Sequence, residues 1–316
     1  MKRKAFTLVE LMVVISIIAL LMGLLLPALS SAMRSAKSKK EMVQLRGLHQ
    51  TMGVYASEND GKYPIPGNIR RDPLNGPGGQ QYIQGVGKVK PIHNHTAAIA
   101  STLISMKYAQ PEIMVSPAEN NAEIGIKGQV VEGDEGEPVA YDYAAWQPHN
   151  GSYWDETFRA RLGNDDADHI SFSNLTLLGP ARRGRWHDTA GGDTIVWSSR
   201  GTKDGDTSSD DYSKNPILQM HGPENTWNGH TVSSDGAVLV AQNFYPEQCK
   251  YDTQALGSPG YKRDNMFCPE FNTSFQGIHG DEEAMRQGDI YMTYSYLMAP
   301  NDDIWVCQRT YDELED

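Results

Sequence analysis

At 316 residues with a formal net charge of −12, the chain repels nucleic acid and anionic lipid, and its basic clusters, Arg70 to Arg71 and Arg182 to Arg185, are too short to reverse that; no nucleic-acid role is expected. The 30 glycines and 17 prolines, set against 22% charged residues, describe a loop-rich, strand-rich body more than a helical bundle. The three cysteines, Cys249, Cys268 and Cys307, form no CxxC pair and so no zinc framework. Outside the cytoplasm one disulfide among them is permitted, with the pair left open, and three buried thiols are the alternative.

In chain order, the N-terminus comes first and says most. Lys2, Arg3 and Lys4 precede an apolar run that starts at Phe6 and carries no charge from Leu11 to Leu29. Roughly 20 helical residues cross a hydrocarbon layer, and the positive-inside bias keeps the basic cluster in the cytoplasm, which places everything after Arg34 on the far side. Glu10 is out of place here, because a carboxylate in hydrocarbon costs at least a few kcal/mol. A secretory signal peptide cut after Ala32, at Ser30-Ser31-Ala32, is the competing reading. Two features oppose it: Glu10 itself, and the recurrence of Met42, Leu45, Leu48, Met52 and Tyr55 at spacings of three and four, which continues the helix beyond the apolar run with one buried stripe. The predicted helix runs from Phe6 to Ser57, about 78 Å long. Gly23 and Pro27 predict a bend or local melting. Asn59-Asp60-Gly61 supplies the stop, and Pro64 and Pro66 prevent resumption.

Residues 59–91 read as a long Gly-, Pro-, Asn- and Gln-rich loop with one short strand near Tyr82 to Val89. Thr96 to Met106 suits a short helix, and Tyr108 to Val115 leads into Ser116-Pro117. Val130 to Asp134 and Val139 to Tyr143 are expected to pair around an acidic glycine turn. Ile170 to Leu178 and Thr194 to Ser198 read as strands, and "HTVSSDGAVLV" reads as a hairpin turning at Ser234-Asp235-Gly236. A late strand is expected over Asp289 to Met298. The fold class is therefore α+β: a long N-terminal spike helix, membrane-spanning in its lower half, packed on a strand-rich, loop-rich head.

Ala5-Phe6-Thr7-Leu8-Val9-Glu10-Leu11, behind a short basic leader, resembles the leader junction of type IV prepilins and type II secretion pseudopilins. The resemblance implies three parts: a leader at residues 1–5, a transmembrane and spike helix at 6–58, and an extracytoplasmic head at 59–316. It also implies cleavage between Ala5 and Phe6 by prepilin peptidase and N-methylation of Phe6. Glu10, as fifth mature residue, would be the assembly residue, and Pro27 the helix-kinking proline. Ala5 departs from the glycine usual before the cut, a change that should slow processing more than prevent it. The implied partners are prepilin peptidase, other pilin-like subunits through their N-terminal helices, and the inner membrane, crossed once with the head in the periplasm or at the cell surface. Parts of the head are similar to large pilin-like proteins of planctomycete-type bacteria: Asn59 to Pro64, Tyr108 to Pro117 with Ser116 in place of the usual cysteine, Tyr141 to Tyr143, and His221-Gly222 through Asp235-Gly236.

The remaining constellations carry less. His93-Asn94-His95 would place two histidines on one side of a strand, but lacks the other ligands of a nuclease, and loop histidines are the favoured reading. Asp204, Asp206 and Asp210 are hard oxygen donors of the kind calcium takes, without EF-hand spacing; a solvated acidic loop is favoured, and no other cofactor is expected. No G-x-S-x-G elbow frames a nucleophile, so no catalytic residue is assigned. The expected role is structural. An anchored extracytoplasmic enzyme or carbohydrate-binding module with a pilin-type leader is the rival, and converging carboxylates or histidines in a cleft would favour it.

Overall fold

The computed structural model describes residues 8–130, 138–162, 167–177, 184–202, 205–208, 210–222, 226–252, 261–268, 290–301 and 304–309. It has the expected α+β architecture, a long N-terminal helix followed by a sheet-bearing head.

Leucine, methionine and alanine are strong helix formers, and they dominate the first element, α1 (Leu8–Ser57). Its 50 residues extend about 75 Å. Pro27 lies inside the helix and residues 23–27 stay helical, so the expected local melting is absent. Proline at this position forfeits one hydrogen bond, to the Gly23 carbonyl, and the Leu-rich turns on either side carry the ladder across. The helix stops where expected. Asp60 and Gly61 take φ of 54° and 75°, and the Gly61 N–H closes onto the Ala56 carbonyl at 2.9 Å.

The strand expected near Tyr82 to Val89 does not form. Gly85 and Gly87 hold φ of 72° and 110°, and a Cβ on Gly87 would lie 2.1 Å from the Asp72 carbonyl oxygen, so the chain here is a tight bend. A short helix α2 (Pro66–Ile69) and an exposed hairpin of β1 (Leu74–Gly76) and β2 (Gly79–Gln81) precede it. Helix α3 (Thr96–Ser105) matches its predicted span and is buried along its whole length. Its Ser101 and Ser105 hydroxyls both meet the Tyr141 hydroxyl, at 2.6 Å. That anchor, with Asp142 accepting from the Ala144 N–H at 2.8 Å, turns the second of the two expected pairing strands into a single 3-10 turn, Tyr143–Ala145. Residues 131–137, which include most of its expected partner, lie outside the described residues.

The central sheet is antiparallel. Its strands are β3 (Phe172–Leu175), β4 (Ile195–Ser199), β5 (Gly229–Ser233), β6 (Val238–Ala241) and, numbered after two strands introduced next, β9 (Met292–Thr293), in the order β6-β5-β4-β3-β9. Strands β7 (Lys250–Asp252) and β8 (Tyr261–Arg263) pair separately, as do β10 (Ser295–Asn301) and β11 (Ile304–Arg309). The late strand thus forms as two pieces, β9 and β10. Every residue of β3, β4 and β5 is buried, which requires cover on both faces. The upper half of α1 supplies part of that cover by lying across β4, β5 and β6. Leu45, Leu48 and Met52 are fully buried and Tyr55 nearly so, as the stripe predicts, with Met42 packed at its margin.

Candidate functional site

The lower half of α1 touches nothing in the head: every residue from Leu8 to Lys37 is exposed. Leu8 to Leu29 spans roughly 32 Å, close to the hydrocarbon thickness of a bilayer. Leaving so many Leu, Ile and Val side chains in water would forfeit about 1.5–3 kcal/mol each, so this segment demands an apolar surrounding that the chain itself does not provide. Among the described residues it is the one helix long and apolar enough to cross a membrane. Glu10 lies in its first turn, at the positive end of the helix dipole, and is the single acidic residue before Arg34.

A second carboxylate sits where the rod enters the head. Glu41 begins the buried stripe: positions 41, 45, 48, 52 and 55 follow spacings of four and three on one helix face. It is fully buried, and its two oxygens receive four partners. His221 Nε2 lies 2.8 Å from Oε2 and His230 Nδ1 lies 2.9 Å from Oε1. The Ser199 hydroxyl donates to Oε1 at 2.5 Å, and the Ser116 hydroxyl donates to Oε2. Both hydroxyls are oriented by the backbone: Ser199 Oγ accepts from the His230 N–H at 2.8 Å and Ser116 Oγ from the Ala118 N–H at 3.1 Å, which leaves their own protons for Glu41. His230 Nε2 meets Ser38 Oγ at 2.9 Å, and the two imidazoles stack edge to face with centroids 4.6 Å apart. Burial alone would push the Glu41 carboxyl up; hydrogen bonds and charge from His221 and His230 outweigh it and hold the group well below the usual carboxylate range.

The rod is gripped again two turns on. The β5–β6 hairpin tip leans on α1 through His49, whose Nε2–H donates to the Ser234 carbonyl at 2.9 Å, and Gly236, with φ of 82°, turns directly over the same imidazole. The stretch from His221 to Gly236 therefore touches the spike at both ends.

These geometries define a bare apolar rod, marked by one acidic residue near its start and locked into a folded head. The family model of the prokaryotic N-terminal methylation motif matches residues 1–26. The N-terminal segment of the chain is type IV pilin-like. No curated protein and no solved structure matches it. The motif is that of pilin-like subunits processed by prepilin peptidase, and the one long apolar helix among the described residues is consistent with a single-pass membrane anchor.

Of the sequence-predicted site residues, Glu10 and Pro27 lie on the bare rod, whereas Ala5 and Phe6 lie outside the described residues. Cys249 is a buried thiol whose pKa burial raises well above the ordinary value, and no disulfide joins it to Cys268; the Cys307 side chain is outside the described set. Asp206 spends one carboxylate oxygen on the Ser208 N–H and hydroxyl at 2.7 and 2.8 Å, while Asp204 and the side chain of Asp210 are outside the described residues. His93 and His95 do not share a strand. His93 ends a 3-10 turn against the Trp154 ring, and His95 caps α3 by accepting from the Ala98 N–H. Glu41 is the functional candidate that sequence patterning passes over. The available signal is its place one step before Leu45 in the heptad stripe, a charge where the pattern asks for an apolar side chain.

Proposed function

We propose that the pilin-like chain is a structural subunit, cut between Ala5 and Phe6, methylated on Phe6, and assembled into a type II secretion pseudopilus or type IV-like pilus by bundling its α1 with those of neighbouring copies. The observation that carries this reading is the exposed apolar rod with Glu10 as its only acidic group. In a bundle, the Glu10 carboxylate of one copy meets the Phe6 amine of the next in a low dielectric. Each charge neutralises the other, and the pair fixes the axial register between subunits. The head then stands in the periplasm or on the assembled fibre. Its role is mechanical. The rival reading, an anchored enzyme, needs reactive groups open to substrate, and Glu41 and both histidines are instead closed beneath the spike.

Co-expression with a prepilin peptidase and assembly machinery, followed by N-terminal sequencing and shear fractionation, tests this directly. Methyl-phenylalanine is expected at the mature terminus, with the subunit in the sheared fibre fraction, and Glu10→Leu is expected to stay membrane-bound and folded while leaving the fibres. Mature chains beginning at Met33, or Glu10→Leu subunits incorporated at the wild-type level, would refute it.

A further inference from the structure

Glu41 belongs to α1, His230 to β5, and His221 to the segment before β5, yet the three offer ligand atoms that all lie within 4.8 Å of one another. We propose that Glu41, His221 and His230 form a binding site for a divalent metal ion of the zinc class, which pins the spike helix to the head. This goes beyond assembly: it concerns how one subunit holds its own shape.

The chemistry of the donor set selects the ion. Two imidazole nitrogens with one carboxylate suit zinc and its neighbours, and are poor ligands for calcium or magnesium, which take oxygen shells. The surroundings match what such ligands need. The side chains of Glu41, His230 and His221 are 0%, 1% and 4% exposed, so an ion there would be shielded from water. With Nδ1 as the ligating atom, the Nε2–H of His230 is directed at Ser38 Oγ, the outer-shell contact that fixes the orientation of a metal-bound imidazole. The Ser116 and Ser199 hydroxyls, already turned by backbone donors, add two further hydrogen bonds that fix the orientation of the carboxylate.

Space is available by a small adjustment. Ligands about 2.0–2.1 Å from a tetrahedral ion stand about 3.3–3.4 Å apart; the histidine nitrogens lie 2.8 and 2.9 Å from separate oxygens of Glu41 and the ligand atoms all within 4.8 Å of one another, so seating an ion needs shifts on the order of an ångström. His221 can yield. Its Nε2 is tied to Glu41, whereas its buried Nδ1 has no hydrogen-bond partner among the described residues to hold the ring in place. Three protein ligands leave a fourth position for a serine hydroxyl or water.

The test uses the full chain in detergent, purified without a histidine tag, stripped with chelator and titrated with Zn²⁺. One Zn²⁺ per chain is expected, with a melting temperature that rises on addition of Zn²⁺, falls on chelation and does not respond to Ca²⁺. Co²⁺ in place of Zn²⁺ should give the visible absorption of a tetrahedral site. His221→Asn and His230→Asn should each weaken Zn²⁺ binding by at least about 100-fold and abolish the Co²⁺ bands. Should either variant fail to fold, the wild-type chelation and Co²⁺ arms decide alone. Folded wild-type protein that takes up no stoichiometric Zn²⁺, or binding that survives both substitutions unchanged, overturns the site and leaves Glu41 held by protons only.

Discussion

Replacing Glu41 with glutamine keeps the shape of the side chain and removes its charge, which makes it a sharp probe of the joint between spike and head. The carboxylate accepts on both oxygens from two imidazoles and two hydroxyls. An amide retains one oxygen, but turns an NH2 group toward the hydroxyl and imidazole on the other side, whose protons are aimed at it and must be turned away before either can accept. One unmatched buried donor costs about 1–3 kcal/mol, and removing one partner of a buried ion pair about 3–5 kcal/mol. We therefore expect Glu41→Gln to lose about 3–5 kcal/mol, a large share of the 5–15 kcal/mol that holds a typical domain, and to melt roughly 10 °C below wild type. Glu41→Leu completes the apolar stripe yet strands all four partners, so it should be no more stable than the glutamine variant. The assay is thermal unfolding of the detergent-solubilised chain in excess chelator, followed by near-UV circular dichroism of the buried Trp197 and Trp227. A glutamine variant melting within about 2 °C of wild type would show that the four contacts do not hold the joint.

Two further outcomes follow from the same packing. Leu48 is fully buried where α1 lies on the sheet; Leu48→Ala should cost about 2–5 kcal/mol by denaturant titration, while Val43→Ala, on the exposed side, should cost under about 0.5 kcal/mol. Stability should also fall with acid. Desolvation lowers the pKa of His93 to about 3 and those of His95 and His169 to about 4, so between about pH 6.5 and 4 the unfolded chain binds protons there that the folded chain refuses. Asp168 opposes them: burial raises its carboxyl to about 7, so the folded chain keeps a proton that the unfolded chain has lost, and stability declines as pH rises from about 4 to 7. Three groups against one leave a net loss on acidification, at most about 2.7 kcal/mol per pH unit. Asp168→Asn should be more stable than wild type at pH 8 and steeper in acid, which melting curves across pH 4–8 would check; a wild-type melting temperature that rises toward pH 4 contradicts the assignment.

What the sequence made legible was local. The rod, its termination at Asp60 and Gly61, helix α3, strands β3 and β4 and the β5–β6 hairpin all rest on periodicity or turn chemistry within about a dozen residues. The missing strand at Tyr82 to Val89 is local as well, bent at Gly85 and Gly87; the other failures rest on distant partners. Val139 to Tyr143 has strand-like composition, but the Tyr141 hydroxyl is drawn into α3 some forty residues upstream and Asp142 caps its own turn. Glu41 shows the same limit more strongly. His221 and His230 stand 180 and 189 positions away in the chain, and no local spacing connects them. The similarity of His221-Gly222 through Asp235-Gly236 to large-headed pilin-like proteins marked the right segment without saying that both of its ends grip the spike.

The placement of that carboxylate has a consequence for the rod as a machine part. A purely apolar stripe can slide: shifting α1 by one heptad would bring Leu48 to the place of Glu41 and still bury hydrocarbon against the sheet. With Glu41 in the stripe the slip is penalised twice, since a leucine would face two imidazoles and two hydroxyls with nothing to accept their protons, and the carboxylate would enter apolar packing unpaired. The head is thereby fixed on the rod in both height and rotation. On the proposed assembly, Glu10 does the same between copies, its partner being another chain's terminus instead of this chain's own histidines. Two acidic residues on one helix would then set two registers, subunit against subunit and head against spike, and a fibre built from such parts would present every head at the same angle.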